Sequence, residues 1–305
     1  MGTSTFPKVP GYKIGRFLGT GAGSQIYSVR NLQTGQLLVV KHVIRREPED
    51  ERFIVQVLNE YRLGSQVNHP VLRRAVEIRK KGLLSVREVF LFMEPVKGKH
   101  LEEEQPSDLG LILRIMVAVS EGLASIHELG FVHADVNPRN VLFTPEGQVK
   151  LIDYGLSCPI GTVKSRVQGT LVFLSPEQAR MEQIDQRTDI FNFAAVLYWL
   201  VTSRTIGPPE VGQNLGQRPH LLDPRKLNPN LSDSLAELLL SCLSEKQMDR
   251  PASMLEVAQN LRAELAEIIK LPAERRAVQS TSLPSQSVVR HIPLLNEQQA
   301  DEETS

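Results

Sequence analysis

The stretch FVHADVNPRNVLF, residues 131–143, constrains this chain more than any other. Branched apolar residues flank a loop that holds Asp135 and, five residues on, Asn140. His133 lies two residues before the aspartate. Read alone, this is either an ordinary polar connection or a loop that holds a metal-bound phosphate against an acceptor. Loops of the second kind usually carry a lysine, and this one has none. The rest of the chain decides between the two.

The bounds are simple. The chain has 305 residues, enough for one large domain or two lobes with a substantial core. Its 35 basic and 35 acidic residues cancel, which argues against a nucleic-acid binder or a polybasic membrane anchor. The two cysteines, Cys158 and Cys242, fit no metal spacing and no disulfide framework, so a reducing compartment is expected. The N-terminus has no apolar core of signal-peptide length. It begins Met-Gly, but Phe6 fills the place where an acylation motif needs Ser or Thr. The run IFNFAAVLYWLV, residues 190–201, is broken by Asn192 and reads as a buried helix, too short to span a bilayer. No transmembrane segment is expected.

Residues 11 to about 92 read as strands plus one helix. YKIGRFLG and SQIYSVRN flank a glycine-rich turn, and QLLVVKHV and EVFLFME are further strands. Between them, Phe53, Ile54, Val57, Leu58 and Tyr61 recur at helical spacing. From about 108 to 269 the pattern is mostly helical, with Gly130 placed to close the helix that begins near Leu109. Residues 269–305 predict a disordered tail rich in Gln, Ser, Pro and Glu.

The turn LGTGAGSQIY, residues 18–27, holds Gly19, Gly21 and Gly23. Glycines let a backbone approach an anion closely, because no Cβ intervenes. Alone that is a weak signal. It gains weight from Lys41, which ends a β-branched strand, and from Glu60 on the following helix. A lysine in a buried strand needs a partner, and Glu60 is the natural one. The alternative is a surface lysine on an edge strand.

The complete order is glycine loop, strand lysine, helix glutamate, His-x-Asp-x4-Asn, then LIDYG at 151–155. GTLVFLSPE at 169–177, DIFNFAAVLYWLVT and MDRPASMLEVAQNL follow. In that order, over residues 11–268, the chain resembles the protein kinase family, in particular eukaryotic-like Ser/Thr kinases of bacterial type. The resemblance implies an α+β, bilobal fold. A small antiparallel β-rich N-lobe at 11–96 would precede a larger helical C-lobe at 97–268, with an extension at 1–10.

It also implies roles. ATP and Mg²⁺ would be the cofactors, with Mn²⁺ as an alternative ion. Leu18, Gly19, Thr20, Gly21, Ala22, Gly23 and Ser24 would form the phosphate loop. Lys41 would hold the α- and β-phosphates, oriented by Glu60. Asp153 and Asn140 would ligate the metal, as oxygen donors suit a hard cation. Asp135 would take the acceptor's proton, with Thr170 hydrogen-bonded to it. Adenine would pack between Ile26, Val39 and Leu142. Met93 would take the gatekeeper place, and the backbone of Glu94 and Val96 would bond the base edge. His133 would pack beneath Tyr154, Glu177 would pair with Arg250, and Asp189 would accept from the catalytic loop's backbone.

Four departures stand out. Ala134 replaces the arginine that usually receives a phosphorylated activation segment, so basal activity is expected not to need that phosphate. Asn137 replaces the lysine that neutralises the γ-phosphate, and Arg139 is expected to reach the same point. Ser24 stands at the third glycine position. Gly64, four residues after Glu60, is expected to leave a gap or a looser helix. Three functional classes follow: an active Ser/Thr protein kinase, which is favoured, a nucleotide-binding pseudokinase scaffold, and a small-molecule kinase of the same fold. The expected partners are a protein substrate and ATP, with control by a regulatory partner, the tail or concentration. The expected location is cytoplasmic. STSLPSQS at 280–287 is the expected autophosphorylation site, since a tether raises effective concentration.

Overall fold

The computed structural model describes residues 7–21, 23–82, 85–209 and 221–270. Ala22, the tail and its hydroxyl cluster at 280–287 therefore lie outside the described residues. The chain divides into two compact units. The first runs to Lys97 and includes Asp153–Gly155, and the second holds Gly98–Ile152 and the residues from Leu156 on. The first is β-rich and the second helical, the α+β class expected.

The first unit is one antiparallel sheet with a helix on it. Its strands are β1 (Tyr12–Gly21), β2 (Ser24–Asn31), β3 (Leu37–Ile44), β4 (Ala75–Lys81) and β5 (Glu88–Met93), in the order β1-β2-β3-β5-β4. Side chains alternate faces along a strand. On one face Leu38 and Val40 join Tyr12, Tyr27, Val29, Phe90 and Phe92. On the other, Val43 joins Val89, Leu91 and Met93 beneath helix α1 (Glu51–Gly64), which contributes Ile54 and Val57. Central β3 is covered on both faces, which is why LLVVKHVI reads as nearly continuous apolar sequence.

Strand β4 was not expected from the sequence. Its pattern, AVEIRKK, ends in three cations, and propensity alone argues against a strand there. Those charges are at home because β4 is a sheet edge, where lysine and arginine discourage pairing with a second chain.

The second unit packs α2 (Leu109–Glu128) against α4 (Gln186–Thr202) and α7 (Met254–Lys270), with α3 (Pro176–Ala179), α5 (Pro224–Leu227) and α6 (Asp233–Cys242) around them. Short strands β6 (Lys99–His100), β8 (Val141–Phe143) and β9 (Val149–Leu151) form a three-stranded sheet. Strand β7 (Phe131–Val132) pairs with β10 (Cys158–Pro159), and β11 (Thr162–Val163) with β12 (Gln183–Ile184). The apolar run at 190–201 lies in α4, buried on all sides as a helix without a polar face must be. Helix α2 is long and apolar enough to cross a membrane, but 67% of that window is buried inside the protein, as in a core helix. Asp108 caps α2 by accepting from Leu111 N. Gly130 follows the helix end at φ +80°, in the left-handed region that favours glycine.

Candidate active site

In the first unit the strand lysine has found its partner. Lys41 faces the α1 side of β3, opposite His42, and its Nζ lies 2.7 Å from Glu60 Oε2. Asp153 Oδ1 is 3.5 Å from the same nitrogen. Burial pushes the Lys41 pKa down, but the carboxylates of Asp153 and Glu60 outweigh it, so the net shift is upward. The lysine is therefore charged throughout the neutral range. Asp153 sits at φ +61°, its Oδ1 accepts from Gly155 N, and its side chain is 45% exposed. A carboxylate is a hard oxygen donor of the kind that suits a divalent cation.

The glycine turn joins β1 to β2, with Gly21 opposite Ser24, Thr20 opposite Gln25 and Gly19 opposite Ile26. Leu18, before the turn, is half exposed. Gly23 has φ +58°, and a Cβ there would sit 2.2 Å from the Phe53 ring. The close approach of α1 thus requires glycine at 23, and Ser24 follows it as a buried residue. Ile26 stands opposite Lys41, and Val39 opposite Met93. Glu94 N donates to Arg74 O at 3.1 Å, so that N–H is engaged inside the first unit. Val96 follows in a half-buried loop.

The expected gap at Gly64 is absent. A Cβ there would lie 2.9 Å from Ala75 Cβ and 3.5 Å from Tyr154 Cδ2. The space is filled by β4 and by the tyrosine of the Asp153–Gly155 segment, so the expectation of a loosened helix is corrected.

In the second unit the loop between β7 and β8 holds Asp135. Its Oδ1 accepts from Thr170 Oγ1 at 3.3 Å and its Oδ2 from Asn140 Nδ2 at 3.1 Å. Asn140 Nδ2 also donates to Asp135 O at 2.8 Å. The amide nitrogen is thus spent on Asp135, which leaves the amide oxygen for a cation. Asn137 is buried and pins the loop, donating to Asp135 O and accepting from Arg139 N. Leu142 lies on β8, buried, opposite Lys150.

Arg139, the residue expected to stand in for the missing lysine, pairs within the second unit. Its Nε donates to Glu102 Oε2 at 2.6 Å. That glutamate, 37 residues away and connected to this loop by no local spacing, holds the guanidinium. Service to a γ-phosphate, the role expected of Arg139, would require the guanidinium to share or give up Glu102.

The loop is anchored from below. Asp189, fully buried, accepts from His133 N and Ala134 N at 2.8 Å each, and pairs with His127 Nε2 at 2.8 Å. Ala134 has φ +62°, a costly conformation for a residue with a Cβ, held by those two bonds. Gln178 Nε2 donates to Ala134 O at 2.8 Å, and Asn192 Nδ2 donates to Gln178 Oε1. Arg250 grips Glu177 with both terminal nitrogens, at 2.7 and 2.9 Å. Burial raises the Glu177 pKa, but the Arg250 hydrogen bond and charge carry it below the ordinary carboxylate value.

Sequence reasoning missed His127, Gln178, Asn192 and Arg73, whose Nη2 lies 2.8 Å from Glu60 Oε1. Each meets its partner only through tertiary folding, and no local spacing announces it.

The comparisons with known proteins agree with this geometry. The family model described as the protein kinase domain matches residues 12–262. The chain is 28% identical to the serine/threonine-protein kinase pkn3 of Myxococcus xanthus, over 92% of this chain and 54% of that protein. It is 29% identical to a probable serine/threonine-protein kinase of Streptomyces coelicolor, over 76% and 36%. It is 25% identical to the serine/threonine-protein kinase PknB of Mycobacterium tuberculosis, over 93% and 48%. The chain therefore spans about half or less of the length of these relatives. With the kinase domain model covering most of its length, the chain belongs to the protein kinase family.

Proposed function

We propose that the chain is a protein serine/threonine kinase that moves the γ-phosphoryl group of ATP to hydroxyls of protein substrates, with Mg²⁺ as its metal and Mn²⁺ as an alternative. The observation that carries this reading is the setting of Asp135. Thr170 and Asn140, both neutral donors, orient its carboxylate and leave it the capacity to accept a hydroxyl proton. In the reaction the acceptor oxygen bonds to the γ-phosphorus, the bond to the β-bridging oxygen breaks, and ADP leaves. Asp135 positions the acceptor and takes its proton. Lys41, kept charged by its two carboxylates, binds phosphate oxygens. A bound divalent ion would neutralise phosphate charge, and the Asp153 carboxylate of the first unit and the Asn140 amide oxygen of the second are each oxygen donors suited to one.

The catalytic domain of this reading is 11–268, with a cytoplasmic location. Both cysteines are unpaired and buried, and burial pushes the Cys242 thiol up to about 12. They are packing residues that need no oxidising compartment.

A second reading, nucleotide binding without transfer, draws support from Asn137. It is buried within its own loop and brings no cation to the site of the usual lysine. Incubation with γ-labelled ATP and Mg²⁺ separates the two. Label on serine or threonine of a protein substrate, and none with Asp135→Asn, supports transfer. Mg-ATP binding without label on any protein or small alcohol supports the second reading.

A further inference from the structure

Glu60 is the most demanding charge in the first unit. It is 1% exposed, and a buried carboxylate is costly unless both of its oxygens are served. Lys41 serves Oε2 at 2.7 Å, but Lys41 is shared with Asp153 at 3.5 Å. Arg73 serves Oε1 at 2.8 Å, from a side chain that is itself 11% exposed. The four groups, two cations and two anions, balance.

Arg73 sits in the connection between α1 and β4. Its side chain holds α1 through Glu60. Its backbone shares a hydrogen bond with the Tyr154 side chain, and Tyr154 lies 3.5 Å from the position a Gly64 Cβ would take. One residue therefore ties α1 to the segment that carries Asp153.

We infer that Arg73 is a positioning residue for the nucleotide: by holding Glu60 Oε1 it keeps the glutamate compensated and in place while Lys41 Nζ serves phosphate. Without Arg73, Lys41 is the one remaining cation on a buried carboxylate. The ammonium is then drawn to Glu60, and its hold on phosphate weakens. This rests on the kinase reading for the identity of the nucleotide, while the pairing itself rests on the geometry alone.

The test is a double-mutant cycle on the full chain. Mg-ATP affinity, kcat and melting temperature are measured for wild type, Arg73→Met, Glu60→Gln and the pair. Misplacement of a reacting group by about 1 Å costs on the order of 100-fold in rate, so Arg73→Met is expected to lose about 10- to 100-fold in kcat, with weaker Mg-ATP binding. Because Arg73 acts through Glu60, the pair is expected to be no worse than Glu60→Gln alone, within about threefold, as coupled residues behave. Arg73→Lys, which keeps the charge, is expected to recover part of the loss. Losses that multiply in the double variant, or wild-type binding and turnover in Arg73→Met, overturn the inference. If the wild type binds Mg-ATP but transfers no phosphate, the kinase reading fails, and the same cycle read in affinity decides on Arg73. If the wild type does not bind Mg-ATP, both fail.

Discussion

At the scale of single residues, the site charges that could be read from the sequence are those with a fixed order along the chain. Lys41, Glu60, Asp135, Asn140 and Asp153 each mark a defined place in a strand, helix or loop, and the structure brings them together within each unit as two groups. Lys41 and Glu60 meet across 19 residues because α1 packs on the sheet face to which Lys41 points. Arg139 could not be placed, because Glu102 lies 37 residues away on the far side of α2 in sequence. Two predictions belong here. Lys41→Met is expected to abolish phosphoryl transfer yet leave a cooperative fold, since Arg73 still serves Glu60. A retained thermal transition with no label transfer is the expected pair of results. Gly64→Ala is expected to destabilise, although alanine favours helices by about 1 kcal/mol. The added Cβ would lie 2.9 Å from Ala75 Cβ, and overpacking costs roughly 1–3 kcal/mol. Urea denaturation measures the sign, and Ala75→Gly in the same chain should relieve it.

At the scale of elements, periodicity identified the central strands and the long helices, because burial imposes a period on each. It failed at β4, where an edge strand needs little apolar sequence. It also failed to show what replaces the arginine at position 134. The structure answers with neutral groups: Gln178 bonds the Ala134 carbonyl, and Asn192 donates to Gln178 and to Phe173 O. The end of the activation segment is thus fastened to the catalytic loop with no phosphate in the link. Thr162 and Ser165 are hydroxyl residues of that segment, 153–177, and activity is accordingly expected to survive in Thr162→Ala and Ser165→Ala enzymes, measured as initial rates of label transfer. Collapse in either would mean that a phosphate takes part after all. Gln178→Leu is expected to destabilise by about 1–3 kcal/mol, the cost of leaving a buried carbonyl unpaired, measured by chemical denaturation.

At the scale of the whole molecule, the most deeply buried ion pair among the described residues is Glu177 with Arg250, whose side chains are 2% and 0% exposed. Breaking a buried pair strands a charge and costs roughly 3–5 kcal/mol, so Arg250→Ala is expected to lower the melting temperature sharply. The pair also sets an acid limit. The folded pKa of Glu177 lies below the ordinary glutamate value of 4.5. Its contribution is fully present above 4.5 and is lost as pH falls through the lower, folded value. Stability measured from pH 6 down to pH 3 should therefore fall more steeply in wild type than in a Glu177→Gln/Arg250→Met variant.

The central claim is that the two groups of charges perform phosphoryl transfer to protein hydroxyls. The most direct measurement is phosphate transfer from γ-labelled Mg-ATP to a generic protein substrate, with phosphoamino-acid analysis, for wild type, Asp135→Asn and Asp153→Ala. The account predicts phosphoserine or phosphothreonine with wild type and none with either variant. Label transfer that persists in Asp135→Asn, or a wild type that binds Mg-ATP and transfers nothing, would contradict it.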